Sequence, residues 1–383
     1  MTIVCLVMIV KNEAALIAGT LTHLRPFVDY AVMCDTGSTD DTPLIIQTVC
    51  DRLELPVVIC HHEWKDFGHN RSLAFASAYD AVPEADWYMV FDADDRIVGD
   101  FPDHTLRTIP KDVGALYCTY GTEFLRYQRL TFFRKTLKWG YRGVLHEFAC
   151  CLSKPDAEVR KQDLGEGYYI HINSRGVSGR SRDPEKFVRD AEILVRAIDD
   201  PSTETDLLSR YIFYAARSFM DAGQYKDAIR YFDRYLEDRS RWYEERYDSR
   251  MCKARCMLAL LQTDPTAYSE SDIRDAFVLA STEDPERAEP WYELARWYRV
   301  HHADFHLAYA FAKTGFSWVR QIPTRFLFLD REVYTYRLMD ELAIAAYWTD
   351  RVHECRELCT ILLSRAELPE EDRTRIQKNL GYC

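Results

Sequence analysis

Residues 3–10 (IVCLVMIV) are eight apolar side chains in a row, rich in β-branched types. A run this short cannot cross a bilayer, and it lacks the alternation of a strand with one face in water. It fits a strand covered on both faces, as in a parallel sheet flanked by helices. A strand of that kind constrains the segments after it, because parallel neighbours need a crossover of about a dozen residues or more, usually helical. Residues 14–24 are amphipathic, residues 30–34 form a second short strand, and residues 42–53 read as a helix that Asp40, Asp41 or Thr42 can cap. A third strand (residues 56–60, PVVIC), a helix (70–79) and a fourth strand (87–91, WYMVF) continue the series. The pattern predicts a doubly wound α/β domain. Shorter strands at 114–120, 126–134, 147–152 and 167–170 suggest a mixed-sheet extension closing one side of a cleft.

From about Pro184 the periodicity becomes helical throughout, so the expected domains are 1–184 and 185–383. Ala216, Phe219, Gly223, Ala228 and Phe232 stand in the small–aromatic–glycine–small–aromatic pattern of a helix-turn-helix repeat of about 34 residues. Partial copies follow at Ala254/Ala276/Ala280, Ala295/Tyr298/Ala308/Ala312 and Ala343/Cys355, with an irregular insertion at 262–272. Small residues let paired helices approach closely, and the aromatics fill the groove to the next pair. The pattern resembles tetratricopeptide repeats and implies an all-α array of about four hairpins.

Composition narrows the function classes. The chain has 383 residues, with 49 Lys+Arg against 61 Asp+Glu, a net charge of −12. An acidic total disfavours a broad nucleic-acid or anionic-membrane footprint, so no nucleic-acid partner is expected. No apolar run approaches the roughly 20 residues of a membrane span. The first residues lack the basic start and cleavage site of a leader. The 12 cysteines include no CxxC pair and sit in apolar contexts, as reduced thiols would. The expectation is a cytoplasmic protein without a transmembrane segment.

Ligands of open α/β sheets bind outside the carboxyl ends of the strands. Four polar loops fall there: Lys11-Asn12-Glu13, the run from Asp35 to Thr42 (DTGSTDDT), the run from Phe67 to Ser72 (FGHNRS), and Asp92-Ala93-Asp94-Asp95. Three carboxylates in four residues repel one another unless a cation offsets them. Asp92 and Asp94, alternate residues at a strand end, can both face Mg²⁺ or Mn²⁺, which would in turn neutralise a diphosphate.

These runs, with Met8-Ile9-Val10 leading into the first loop, make residues 1–180 resemble a family 2 glycosyltransferase of the GT-A fold. Trp139-Gly140-Tyr141-Arg142-Gly143-Val144-Leu145-His146-Glu147 is similar to the acceptor-side motif of bacterial and viral members. The architecture also resembles the peptide S-glycosyltransferases that modify bacteriocins. The resemblance implies a nucleotide-diphosphate sugar donor, most simply a UDP-sugar, and Mn²⁺ or Mg²⁺. Asp35 would contact the uracil or ribose, with Val10, Lys11, Asn12 and Glu13 lining the base. Arg71 would lie near the base and phosphates beside Asn70, although Asn70-Arg71 reverses the Arg-Asn order common in relatives. Asp92 would hold the ribose or the ion, and Asp94 would ligate the ion. Gly37, Ala93 and Arg180 complete the donor-binding set, Arg180 within a basic loop with Arg175 and Arg182 suited to a leaving diphosphate.

The third ligand in such domains is often a histidine on the final strand. His171 is preferred over His146, which would then support Glu147. Glu147 is expected to be the base that takes the acceptor proton in an inverting transfer, with Asp95 as the fallback. Trp139 and Tyr141 are candidates to stack on a sugar. The acceptor is a protein, peptide or glycan, and the helical domain would hold it, form a homodimer, or both. Two alternatives stand beside this reading: an inactive nucleotide-sugar-binding scaffold, and a nucleotidyltransferase.

Overall fold

A computed structural model of the chain describes residues 2–122, 126–172, 185–318, 328–366 and 368–383. The chain forms two compact units, Met1–Asp200 and Pro201–Cys383. The helix Lys186–Asp199, on the helical side of the expected boundary at 184/185, belongs to the first of them.

The first unit is a mixed α/β domain. Its elements run β1 (Val4–Val10), α1 (Ile17–Leu24), β2 (Tyr30–Asp35), α2 (Thr42–Arg52), β3 (Val57–His61), α3 (Phe67–Ala81), β4 (Trp87–Val90) and β5 (Asp95–Gly99). They continue as β6 (Val113–Gly121), β7 (Arg126–Arg134), β8 (Trp139–Arg142), β9 (Phe148–Cys151), β10 (Arg160–Asp163), β11 (Tyr168–Ile172) and α4 (Lys186–Asp199). The main sheet has the order β3-β2-β1-β4-β7-β6-β11-β5, with β10 pairing off β6. β3, β2, β1 and β4 are parallel, as the apolar runs require, whereas β7 joins β4 antiparallel. Side-chain alternation splits the core into two layers. Val4, Leu6 and Met8 of β1 pack with Ile17, Leu21 and Ile46 on one face, while Cys5 and Val7 pack with Ala74, Phe75 and Ala78 of α3 on the other.

One expectation about this unit changes. The strand expected at 147–152 is β9, and among the described residues it pairs with β8 in a separate two-stranded sheet rather than extending the main one. The acidic run after β4 leads into no helix. It is a tight turn into β5, a strand that pairs antiparallel with β11 and puts Asp95 opposite Ile172.

The second unit is helical. It comprises α5 (Thr205–Asp221), α6 (Tyr225–Leu236), α7 (Tyr243–Thr263), α8 (Glu270–Glu283), α9 (Glu289–Trp297), α10 (Phe305–Phe316), α11 (Leu338–Trp348), α12 (Val352–Leu363) and α13 (Glu370–Leu380). Consecutive helices pack on one another from α5 to α13, the nearest-neighbour pattern of a repeat array. Ala216, Ala228 and Phe232 are fully buried between α5 and α6, and Phe219 stacks on Tyr231 at 5.3 Å. Gly223 closes α5 at φ +72°, and the Gln224 amide reaches back to the Phe219 carbonyl at 2.8 Å. That six-residue closure needs the left-handed backbone a glycine supplies. The irregular insertion expected at 262–272 narrows to residues 264–269, because α7 runs to Thr263 and α8 starts after a Ser269 capping box.

Charged pairs tie the array between hairpins. Glu283 takes Arg246 Nη2 at 2.6 Å and Arg250 Nε at 2.6 Å. Burial pushes the Glu283 carboxyl up, but hydrogen bonds from Arg246 and Arg250 outweigh it and hold the group below its ordinary 4.5. The stabilisation is therefore complete above about pH 4.5 and is lost as pH falls through the lowered folded-state value. We expect Glu283→Gln to cost about 2 kcal/mol at neutral pH. Urea unfolding of wild type and variant at neutral and acid pH checks this: the difference should shrink as the medium is acidified.

Candidate active site

The first two polar loops are laced together at the ends of β1 and β2. The Val10 carbonyl accepts from Thr36 N at 3.0 Å and Thr36 Oγ1 at 3.1 Å. Asn12, at φ +56°, donates its amide to Ser38 Oγ (3.0 Å) and accepts from Thr39 N (2.8 Å). Glu13 N donates to Thr42 Oγ1 at 2.8 Å, and Ala14 N to Asp40 Oδ2 at 3.3 Å. Asp35 is buried and turns its carboxylate onto the amides of Gly37 and Ser38, each at 3.2 Å, with His61 Nδ1 at 3.4 Å. Gly37 sits at φ +98° with open space where a Cβ would be, so its role is backbone conformation. Lys11 is exposed beside this lattice.

A second cluster lies at the end of β4. Asp66 caps α3 by accepting from His69 N at 2.7 Å. Asn70, expected beside the nucleotide, is fully buried. Its amide group accepts from Lys65 N (2.9 Å) and donates to the Glu63 carbonyl (3.0 Å), so it organises the loop into α3. Arg71 follows one residue later and points the other way. Its Nε donates to Glu147 Oε1 at 2.7 Å and its Nη2 to Asp92 Oδ1 at 2.7 Å. Arg129 Nη1 completes the group, donating to Asp92 Oδ2 at 3.0 Å.

The loop carrying Glu147 is pressed onto α3. Ser72 Oγ accepts from Tyr141 N at 2.8 Å, Phe67 N donates to the Val144 carbonyl at 3.3 Å, and a Cβ on Gly68 would stand 2.4 Å from the Gly143 carbonyl oxygen. Gly143 and His146 take left-handed backbone (φ +104° and +53°), which turns the chain so that Glu147 faces Arg71 while His146 is exposed. The Tyr141 ring lies under the Arg71 guanidinium at 5.7 Å and stacks on Phe75. Trp139 is 1% exposed and packs edge-on against Phe133, so it is a core residue out of reach of a sugar.

Charge is unevenly shared across this cluster. Burial pushes the Asp92 carboxyl up, but Arg71 and Arg129 overcome it and hold the group well below the usual carboxylate range. Asp95 goes the other way: burial first, then the neighbouring Asp92, push it well above that range. Its Oδ2 is buried without a hydrogen-bond partner. Two arginines thus pair with Asp92 and Glu147, while Asp94 and Asp95 add two more carboxyls to the same turn. Hard oxygen donors with negative charge in excess are the chemistry a Mg²⁺ or Mn²⁺ ion satisfies. The donor atoms of Asp92, Asp94 and His171 do not gather within 4.8 Å of one another. His171 lies within β11, paired to Arg96 and Gly121, with its ring 6.2 Å from Tyr169. Ala93 is buried in the acidic turn, and its carbonyl accepts from Thr20 Oγ1 at 2.6 Å. Arg175, Arg180 and Arg182 lie outside the described residues.

Residues 5–148 match the model of glycosyl transferase family 2. This part of the chain is a family 2 glycosyl transferase domain. The match takes in all four polar loops and ends one residue past Glu147. A curated relative, a TPR repeat-containing protein of Synechococcus elongatus, is 35% identical over 96 residues, 25% of this chain. The alignment spans about a fifth (21%) of that relative's length. Among solved structures, BtubC (BKLC) of P. vanneervenii is 17% identical over 54% of this chain and 83% of its own, with a TM-score of 0.38. TarS of S. aureus (residues 1–349) in complex with UDP is 14% identical over 75% of this chain and 93% of its own, with a TM-score of 0.35. Glucosyl-3-phosphoglycerate synthase of Mycobacterium tuberculosis, in complex with Mn²⁺, UDP and its product, is 16% identical over 31% and 44%, with a TM-score of 0.23.

Within the glycosyl transferase domain, Arg129 is the functional candidate that sequence reasoning misses. A signal for it exists in the pairing of β4 with β7. Trp87, Tyr88 and Met89 pair with Arg134, Phe133 and Phe132. Continuing that antiparallel register past the end of β4 brings Arg129 opposite Asp92.

Proposed function

We propose that the chain transfers a sugar from a nucleoside-diphosphate donor, a UDP-sugar, to a protein, peptide or glycan acceptor, with inversion. The observation that carries this reading is Arg71 joining Glu147 and Asp92, 2.7 Å from each, inside a family 2 glycosyl transferase domain. Glu147 is the base: its carboxylate takes the proton of the acceptor nucleophile as that atom attacks the anomeric carbon. Arg71 Nε fixes the direction of the Glu147 carboxylate. Arg71 and Arg129 together put two guanidinium groups at the strand end where the leaving diphosphate gathers charge. The lattice of loops 11–14 and 35–42 presents backbone groups to the base and ribose. Asp95, held toward its protonated form, is the weaker candidate for the base. Asp92 and Asp94 are the residues that would hold Mn²⁺ or Mg²⁺. When bound, that ion supplies positive charge against the diphosphate.

Calorimetric titration of UDP with and without Mn²⁺ tests the binding half of the proposal. The wild type should bind UDP more tightly with Mn²⁺, and Asp94→Asn should lose about tenfold or more of the metal-dependent gain while keeping the metal-free affinity. Absence of UDP binding under both conditions would remove the donor assignment. Tight UDP binding without turnover of any UDP-sugar would leave a scaffold in place of an enzyme.

A further inference from the structure

A second cluster stands at the ends of β2 and β3, on the face of the sheet covered by α3. Cys34 and Cys60 are register partners on these adjacent parallel strands. The His62 amide donates to the Asp35 carbonyl at 2.9 Å, which carries the ladder one residue past β3. Side chains alternate along a strand, so Cys60 and His62 share the face on which Cys34 packs with Ala74 and Ala78. His61 and Asp35 occupy the opposite face and meet each other there at 3.4 Å. On the α3 side, Ser77 Oγ lies 3.0 Å from His62 Nε2 and orients the ring. The ligand atoms of Cys34, Cys60 and His62 all lie within 4.8 Å of one another, and among the described residues no other trio of His, Cys, Asp or Glu is so gathered.

We propose that Cys34, Cys60 and His62 form a binding site for a borderline-soft divalent cation, zinc. Around a tetrahedral zinc with Zn–S bonds of about 2.3 Å, neighbouring ligand atoms stand roughly 3.5–3.8 Å apart, so small side-chain rotations close the trio onto an ion. Two sulfurs and an imidazole select zinc over Mg²⁺, Ca²⁺ or Mn²⁺, which prefer oxygen. The site is therefore chemically distinct from the carboxylates after β4. Cys34 is sealed at 0% exposure, while Cys60 and His62 are half-buried and provide the way in. Free cysteine side chains are thiols near neutral pH. Binding is then an exchange without redox change: the ion forms bonds to two sulfurs and one neutral imidazole nitrogen, two S–H bonds break, and two protons go to solvent. The fourth position falls to water, and the bound ion would pin the strand ends that carry Asp35.

Cobalt(II) titration of the reduced, chelator-treated full chain provides the test, because cobalt–thiolate bonds give a charge-transfer absorption that oxygen ligands do not. The expected result is one equivalent of cobalt with this absorption, displaced by one equivalent of zinc. Cys60→Ser and His62→Ala should each weaken cobalt binding by at least about tenfold. Cys383→Ser should leave it unchanged, which separates the site from the Cys355–Cys383 pair, whose Sγ atoms are 2.8 Å apart. His62 is half-exposed, so His62→Ala should keep its fold, as an unchanged melting temperature of the metal-free protein would register. The proposal is overturned if no charge-transfer band forms, if the band survives in both Cys60→Ser and His62→Ala, or if it disappears in Cys383→Ser.

Discussion

Arg71→Met is expected to reduce sugar transfer by about 10²–10³-fold and to destabilise the first unit by about 2–4 kcal/mol. Both effects follow from the same two hydrogen bonds. Arg71 is 8% exposed and donates to Glu147 and Asp92, each at 2.7 Å. The shorter apolar chain fills only part of the volume and leaves two carboxylates facing each other across a half-buried gap. Arg129 still compensates Asp92 at 3.0 Å, which keeps the stability cost below that of an isolated buried charge. Glu147 loses the guanidinium that orients it. Arg71→Lys should recover most of the stability and little of the activity, because an ammonium cannot reproduce the fork that spans two carboxylates. Chemical denaturation alongside turnover of the donor separates the two effects.

Gly68→Val comes next in expected size. The first turn of α3 meets the Glu147 loop at this glycine, where a Cβ would fall 2.4 Å from the Gly143 carbonyl oxygen, and backbone cannot rotate away as a side chain would. Gly143 is itself fixed at φ +104°. The added atoms must push the loop off the helix, carrying Glu147 away from Arg71. A misplacement of about 1 Å is enough to cost roughly 10²-fold in turnover, and the overpacking should cost about 1–3 kcal/mol. Gly19→Ala is the matched control. That glycine lies in α1 with nothing within 4 Å of its Cβ position, so the substitution should be neutral or stabilising by up to about 1 kcal/mol with unchanged turnover.

The parallel half of the first unit is legible in sequence because each strand there is a dense apolar run between polar loops. β5 (DRIVG) and β10 (RKQD) escape that reading. They are short, largely exposed and polar, and their pairing is decided by β11 and β6, elements far from them in sequence. The repeat array is legible where its small and aromatic positions recur, at Ala216, Phe219, Ala228 and Phe232, and blurs where a helix outgrows the repeat, as α7 does. In the site, Asp92, Arg71 and Glu147 are visible as motif residues, yet the bonds among them are not, since they join α3, a turn after β4 and a loop after β8. The reversed order Asn70-Arg71 acquires a physical meaning. Asn70 faces inward to organise the 63–65 loop, which leaves Arg71 as the residue that reaches the carboxylates. Arg129 is hidden because nothing local marks one arginine of β7 among its neighbours.

The most direct test of the account is turnover of a UDP-sugar by Glu147→Gln, with UDP affinity measured on the same preparation. Glutamine keeps the size of the side chain and can still meet Arg71 through its carbonyl oxygen, but it cannot accept the acceptor's proton. UDP affinity is expected to stay within about twofold of wild type and transfer to fall by about 10²–10⁴-fold. Transfer at the wild-type rate with Glu147→Gln would contradict the account.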